Sequence, residues 1–330
     1  MSIKYSGDNI TFADNSVQNT AATGFGFKNR IINGSMAVDQ RNNGASQSIT
    51  VAGGNTYTVD RWFAITSGAT ITGQRVAGSG SNQYNYQFTG AASVTGIQFV
   101  QRIEQKNCYD LAGQTATLSC NFANSLLTTV SWAVYYAGTA DSWGGSNTTI
   151  ASGTFTVSST LTNFSTQISI PAAATTGLQV VFSVGAQTSG TWTIGSVQLE
   201  KGSTATSFDY RPYGTELALC QRYYYRVVTD INSPFGVGFI TSATLAYINV
   251  PFPTTMRITP TAVEQNGTAA NYRVRWSAGA TVCSSVVSFV NGSPSNAFVI
   301  FTVASGLTAG QGAFGESNLA GAYLGWSVEL

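Results

Sequence analysis

The chain contains no histidine, and only 9% of its 330 residues are charged, fifteen basic against fourteen acidic. The missing histidine removes the usual proton shuttle near neutral pH and the commonest nitrogen ligand of zinc. A serine nucleophile would then need a lysine base, and no Ser-x-x-Lys arrangement is present. A formal net charge of +1 gives no basic face for nucleic acid and little repulsion between copies. No apolar run approaches the ~20 residues that span a bilayer, and Met1–Tyr5 lacks the charged-then-apolar order of a secretory signal. The four cysteines, Cys108, Cys120, Cys220 and Cys283, are widely separated and form no Cys-x-x-Cys pair. Cys120 alternates with Ala116, Leu118 and Phe122 as a small core residue would, which suits a chain made in a reducing cytosol. No phosphate-binding Gly-rich loop occurs. These absences favour a binding or structural protein with no catalytic residues, no cofactor and no metal.

What is abundant is 35 glycines and a surplus of Ser, Thr, Asn and Gln, residues of strands and turns rather than helices. The length allows two domains. Residues 1–27 form a low-complexity arm with too few apolar side chains for a core, so it orders by adding to another surface or to copies of itself. Period-two alternation marks strands at Tyr84–Phe88, Ile97–Phe99, Ala116–Phe122, Trp132–Val134 and Leu178–Val184. Residues 28–214 therefore read as one jelly-roll-like β-sandwich. A short helix is expected over Thr215–Tyr225, capped by Thr215 and favoured by Glu216 near its positive end. Beyond it, Val237–Ile240, Leu245–Val250, Tyr272–Trp276, Val282–Val290, Phe298–Val303 and Tyr323–Val328 supply a second β-sandwich, residues 215–330. Its tip loops would include Asn232–Gly236 and Gln311–Asn318. The expected fold is all-β: two tandem sandwiches after an extended arm, with one linking helix.

Two brackets of sequence carry a resemblance. Lys28–Asn42 followed by Tyr57–Trp62, and Ser196–Gly202 followed by Phe208–Pro212 and Leu219–Tyr224, resemble the opening and closing of the lectin-like jelly-roll module in tail fibres and other virion proteins of tailed bacteriophages. Ile10–Gln18 is similar to short repeats of phage fibre shafts. The resemblance implies a homotrimeric virion protein made in the host cytoplasm, attached to other virion proteins through residues 1–27. It implies a tail fibre that engages host-surface glycan, while charge and hydropathy argue for no nucleic acid bound and no membrane insertion. A capsid decoration or head-fibre protein stabilising the shell is the alternative, and a polysaccharide-degrading spike the third reading.

Within the brackets, Asn33-Gly34 suits a tight turn with positive φ. Asp39 with Arg41, Asp60 with Arg61, and Asp209 with Arg211 read as structural corner pairs joining first and last strands. Related carbohydrate-binding jelly rolls often hold a structural calcium between first and last strands, which the resemblance would assign to Asp39 and Glu200; the closing strand carries Gly195 and Ser196 where a further carboxylate would be expected, so no metal is expected here. Saccharide recognition needs flat aromatics beside neutral hydrogen-bonding side chains. Trp143, in the polar segment Asp141–Asn147, is the leading candidate, followed by Tyr135, Tyr84 and Tyr86. A glycosidase would instead need two carboxylates across a cleft, such as Glu104 with Asp110 or Asp141.

Overall fold

The computed structural model describes residues 27–78 and 82–330, together with three short strands nearer the amino terminus: β1 (Lys4–Ser6), β2 (Asn9–Thr11) and β3 (Val17–Gln18). These three pair antiparallel with one another. The arm expected over residues 1–27 otherwise lies outside the described residues.

The first body is built from β4 (Gln47–Ile49), β5 (Thr56–Tyr57), β6 (Trp62–Ser67), β7 (Ile71–Ala77), β8 (Tyr84–Thr89) and β9 (Gly96–Ile103). It continues with β10 (Thr115–Asn124), β11 (Thr129–Thr139), β12 (Ser142–Thr156), β13 (Thr162–Ser169), β14 (Leu178–Val184) and β15 (Thr191–Lys201). One six-stranded sheet runs β13-β10-β15-β8-β7-β4 and the other β12-β11-β14-β9-β6-β5. The chain crosses repeatedly between them, as in a jelly roll. The inward positions of the alternating runs meet in one core around an aromatic stack. Trp62 lies 4.5 Å from Phe99, Phe99 is 5.4 Å from Tyr86, and Phe88 is 5.3 Å from Trp192.

A four-residue helical turn, α1 (Gln105–Cys108), follows β9, and α2 (Tyr213–Gln221) leads into the second body. That body comprises β16 (Tyr224–Val228), β17 (Pro234–Ile240), β18 (Leu245–Pro251), β19 (Glu264–Gln265) and β20 (Tyr272–Trp276). It ends with β21 (Gly279–Val282), β22 (Ser288–Ser293), β23 (Asn296–Thr302), β24 (Gly312–Ser317) and β25 (Tyr323–Ser327). A three-stranded sheet, β16-β25-β19, accompanies a seven-stranded one, β21-β20-β24-β17-β18-β23-β22, over a core that includes Trp326, Phe301 and Tyr272.

Several expectations are corrected. The helix begins at Tyr213, with Pro212 at the N-cap and no side-chain cap. Thr215 is inside the first turn, and its N–H, like that of Glu216, donates to the Pro212 carbonyl. The Val282–Val290 run is broken because β21 and β22 occupy opposite edges of the seven-stranded sheet. The chain between them crosses the core, burying Cys283 and Val287. Most of Asn232–Gly236 and Gln311–Asn318 lies in β17 and β24, not in tip loops; Pro234 pairs with Glu316. All four cysteines are buried free thiols, and burial pushes Cys108 and Cys283 up to about 12.

The corner residues do not pair as their sequence adjacency suggested. Asp39 accepts the N–H groups of Asn42 and Gly44, Asp60 accepts that of Gln40, and Asp209 accepts those of Lys28 and Asn29. Their neighbouring arginines reach elsewhere. Arg61 and Arg41 both pair with Glu329, near the end of the second body, and Arg211 pairs with Glu216 on α2 at 3.1 Å. Arg61 also lies 3.5 Å over the Tyr223 ring, and Arg41 3.5 Å over Tyr224. Backbone donors take up these carboxylates, local ones for Asp39 and those of the opening segment for Asp209, which leaves the long arginine side chains to bridge the two bodies. A small apolar cluster of Ile32, Val38, Cys220 and Tyr223 seals the same join.

Candidate functional site

Three sequence doublets break the alternation of polar and apolar residues. Trp62-Phe63 stands in β6, Phe99-Val100 in β9 and Val180-Val181 in β14. One member of each doublet enters the core, so the other must face outward. The register brings the outward members into one row: Val181 opposite Val100, Val100 opposite Phe63, and Phe63 opposite Tyr57. The row ends on β11 at Ala133, opposite Val181. Five strands spaced about 4.8 Å apart make this row about 19 Å long.

Polar rows flank it. On one side Ser131, Ser183 and Gln98 lie opposite one another, with Ile65 completing the row. On the other, Tyr135, Gln179 and Arg102 do the same. Phe63 and Val100 are each 2% exposed, so they form the floor rather than the contact surface. Half-buried Tyr57, Ile65 and Tyr135 pack against this floor and present the outer surface. Arg102 is fixed between them: its Nε donates to Gln179 Oε1 at 2.9 Å and one Nη to the Leu330 carbonyl at 2.6 Å. Its guanidinium sits 4.9 Å over Phe63. Burial pulls its pKa down from the ordinary value, yet arginine stays charged at neutral pH. The face thus offers aromatic edges, amides, hydroxyls and one positioned cation.

The four aromatic candidates separate. Tyr135 belongs to this face. Trp143 does not sit on a polar loop but in β12, two residues after the hairpin turn, and is 8% exposed. Its ring lies 5.6 Å from the Arg102 guanidinium, and so covered it offers no open platform. Asp141 takes the positive φ of the turn, and its carboxylate receives the Gln105 N–H at 2.7 Å. Tyr86, 1% exposed, is core. Tyr84 lies on the other sheet, half-buried, with its ring 4.3 Å from Arg75. Sequence reasoning missed Phe63, Val100, Val181, Gln98, Gln179 and Arg102. The apolar doublets were the signal that could have found them.

The carboxylates weighed for hydrolysis are engaged. Glu104 accepts from Arg222 at 2.8 Å and from the Tyr223 hydroxyl at 2.8 Å, and these bonds hold its carboxyl below the usual range despite burial. Asp141 is pushed up, first by burial, with Glu104 adding repulsion. Asp110 pairs with Arg30 at 2.6 Å. Glu200, weighed for calcium with Asp39, is taken by Thr206, whose N–H and hydroxyl donate at 2.8 and 2.6 Å. Among the described residues no three His, Cys, Asp or Glu side chains converge as metal ligands, and no helix is long and apolar enough to cross a membrane.

The fold and this face define a two-sheet β-sandwich with an apolar-floored, amide-flanked outer surface, joined to a second sandwich. Among solved structures, the chain is similar to the enzymatically active domain of bacteriophage CBA120 tailspike protein 4, with 13% identity, a TM-score of 0.36, and coverage of 53% of this chain and 22% of that one. It is also similar to the CBM22-2 xylan-binding domain of Paenibacillus barcinonensis Xyn10C, at 14% identity and a TM-score of 0.31, covering 47% and 99%. A family 11 carbohydrate-binding module of Clostridium thermocellum in complex with a mixed-linked tetrasaccharide gives 10% identity and a TM-score of 0.31, covering 49% and 98%. No family model and no curated protein matches the sequence.

Proposed function

We propose that the chain is a non-enzymatic virion protein of a tailed phage, a tail fibre that binds host-surface polysaccharide on the outer face of β11, β14, β9, β6 and β5. The observation that carries the saccharide reading is the in-register row of Val181, Val100, Phe63 and Tyr57, flanked by Gln98, Gln179, Ser131 and Ser183. Sugar rings pair apolar C–H faces with peripheral hydroxyls; Tyr135, Ile65 and Tyr57, seated on the buried row, supply the apolar complement, and the flanking amides and hydroxyls supply the polar one. Each contact is weak, so several copies would be needed for firm adsorption.

A homotrimer fits the outward face of the seven-stranded sheet. Val237, Phe239 and Phe314 are 56%, 51% and 43% exposed, and Val237 is opposite Phe314 in the register. Apolar patches larger than a few hundred Å² are rarely left bare, and the near-neutral chain offers little repulsion to another copy. The same face suits the rival reading, a capsid decoration protein, whose contacts would all be with protein. Antibody labelling of particles separates the two: tail tips for a fibre, capsid surface for a decoration protein.

The saccharide test compares wild type with Tyr135→Ala and Gln98→Ala on an array of bacterial capsular and O-antigen polysaccharides. Binding by wild type, with a fall of about tenfold in Tyr135→Ala, a loss of ~1–2 kcal/mol of stacking, is expected. No wild-type binding, or equal binding by all three proteins, would reject the reading. New reducing ends released from a bound polysaccharide would move the protein to the spike class.

A further inference from the structure

Tyr57 ends the apolar row and also begins a cleft of about 360 Å³. One wall is Asn55 and Tyr57 from the first body; the other is Ile258, Thr261 and Ser327 from the second, with Leu330 between them. The Tyr57 ring meets Phe63 edge-on at 5.5 Å, while its hydroxyl donates to the Leu330 carbonyl at 3.3 Å. That same carbonyl receives Arg102, so the residue that stiffens the face also fixes the rim of the cleft. The face and the cleft are therefore continuous through one side chain.

The chemistry of the cleft differs from that of the face. Glu329, the one ionisable side chain of the lining besides Tyr57, is 4% exposed and held by Arg61 and Arg41. The exposed polar groups are the Asn55 amide and the Thr259, Thr261 and Ser327 hydroxyls, beside the apolar side chain of Ile258, half exposed. Such a lining suits an uncharged, hydroxylated unit with one apolar face, and the volume is in the range of small-ligand sites.

We infer that the cleft between the two bodies is an end subsite: it receives a terminal neutral sugar unit of the chain lying along the outer face, so that the second body sets which chain ends are accepted. This inference rests on the saccharide reading above and extends it to residues of the second body. An internal stretch of a long polysaccharide crosses the face without it, whereas a short oligosaccharide depends on both.

The test uses the full chain and an array of bacterial capsular and O-antigen polysaccharides with their partial-hydrolysis oligosaccharides. Thr261→Trp and Ser327→Trp each fill the cleft from exposed positions on different segments, and circular dichroism checks that they fold. Both are expected to lower oligosaccharide binding at least tenfold while keeping intact polysaccharide within threefold of wild type. Tyr135→Ala should lower both. Oligosaccharide binding within threefold of wild type in both cleft variants, with Tyr135→Ala still impaired, overturns the end subsite and leaves the face standing. Loss of polysaccharide in step with oligosaccharide in folded cleft variants also overturns it, since the cleft would not act on ends. Indifference of every variant, or no binding by wild type, rejects the face and the subsite together.

Discussion

Ionisable side chains are so scarce in this chain that each charged contact can be followed to a specific task. Glu104 shows the consequence most clearly. Its carboxyl is 3% exposed at residue level and bonded to Arg222 and Tyr223, which keeps it ionised below the usual glutamate range. A carboxyl whose folded pKa is depressed adds stability that is complete above its unfolded value and disappears as pH falls through the folded one. Asp141 acts with the opposite sign, because its pKa is raised on folding. Glu104→Gln should therefore cost roughly 1–3 kcal/mol at pH 7. The difference from wild type should shrink as pH falls below the ordinary glutamate value, about 4.3. Urea unfolding at a series of pH values reads this directly; a difference constant across the acid range would contradict it. Tyr135 was legible only as a weaker candidate, since a tyrosine alternating along a strand is usually a core or sheet-face residue. Trp143, an aromatic among small polar residues, stood out most but is covered, since its neighbours Gly144, Gly145 and Ser146, read as a loop, continue a strand.

At the scale of elements, alternation placed most strands, because inward and outward faces differ sharply wherever one side meets water. Leu178–Val184 and Tyr272–Trp276 coincide with β14 and β20. The helix boundary was less legible, as Thr215 offered a cap that Pro212 made unnecessary. Turns show what local sequence does specify. Asn33 adopts φ 58°, its side chain donates to the Val38 and Asp60 carbonyls, and Gly34 passes so close to β15 that a Cβ would lie 2.0 Å from the Val197 carbonyl oxygen. Gly34→Ala must push the opening segment off the closing strand. A loss of about 1–3 kcal/mol is expected, by analogy with overpacked cores. A lower urea midpoint with unchanged slope would show it; an unchanged midpoint would mean that the contact yields freely.

At the scale of the molecule, the two sandwiches are locked by arginines over tyrosines, with Glu329 as the shared carboxylate. Arg61 is 2% exposed, and removing its partner would strand a buried cation. Glu329→Ala should therefore destabilise the join by ~3–5 kcal/mol. Calorimetry is expected to resolve two transitions in the variant, one per core, where wild type melts in one. A single transition at the wild-type temperature would show that the ion pairs contribute little. The opening and closing segments singled out in the sequence supply much of this join, including Arg61, Arg211 and Tyr223, while the Asn33 N–H donates to Glu216 on α2. Arg61 and Arg211 were themselves legible as corner residues, but their partners were not. The Arg61–Glu329 pair spans 268 residues and leaves no trace in local spacing.

Composition and period-two alternation by themselves determined an all-β chain of sandwiches with few charges, because strand burial follows from local pattern alone. Tertiary structure decided which apolar residues share an outer row, which arginine meets Glu329, and that Tyr57 joins a face to a cleft. Those outcomes depend on register between strands and on the docking of two bodies, and both are set by contacts between residues far apart in the chain.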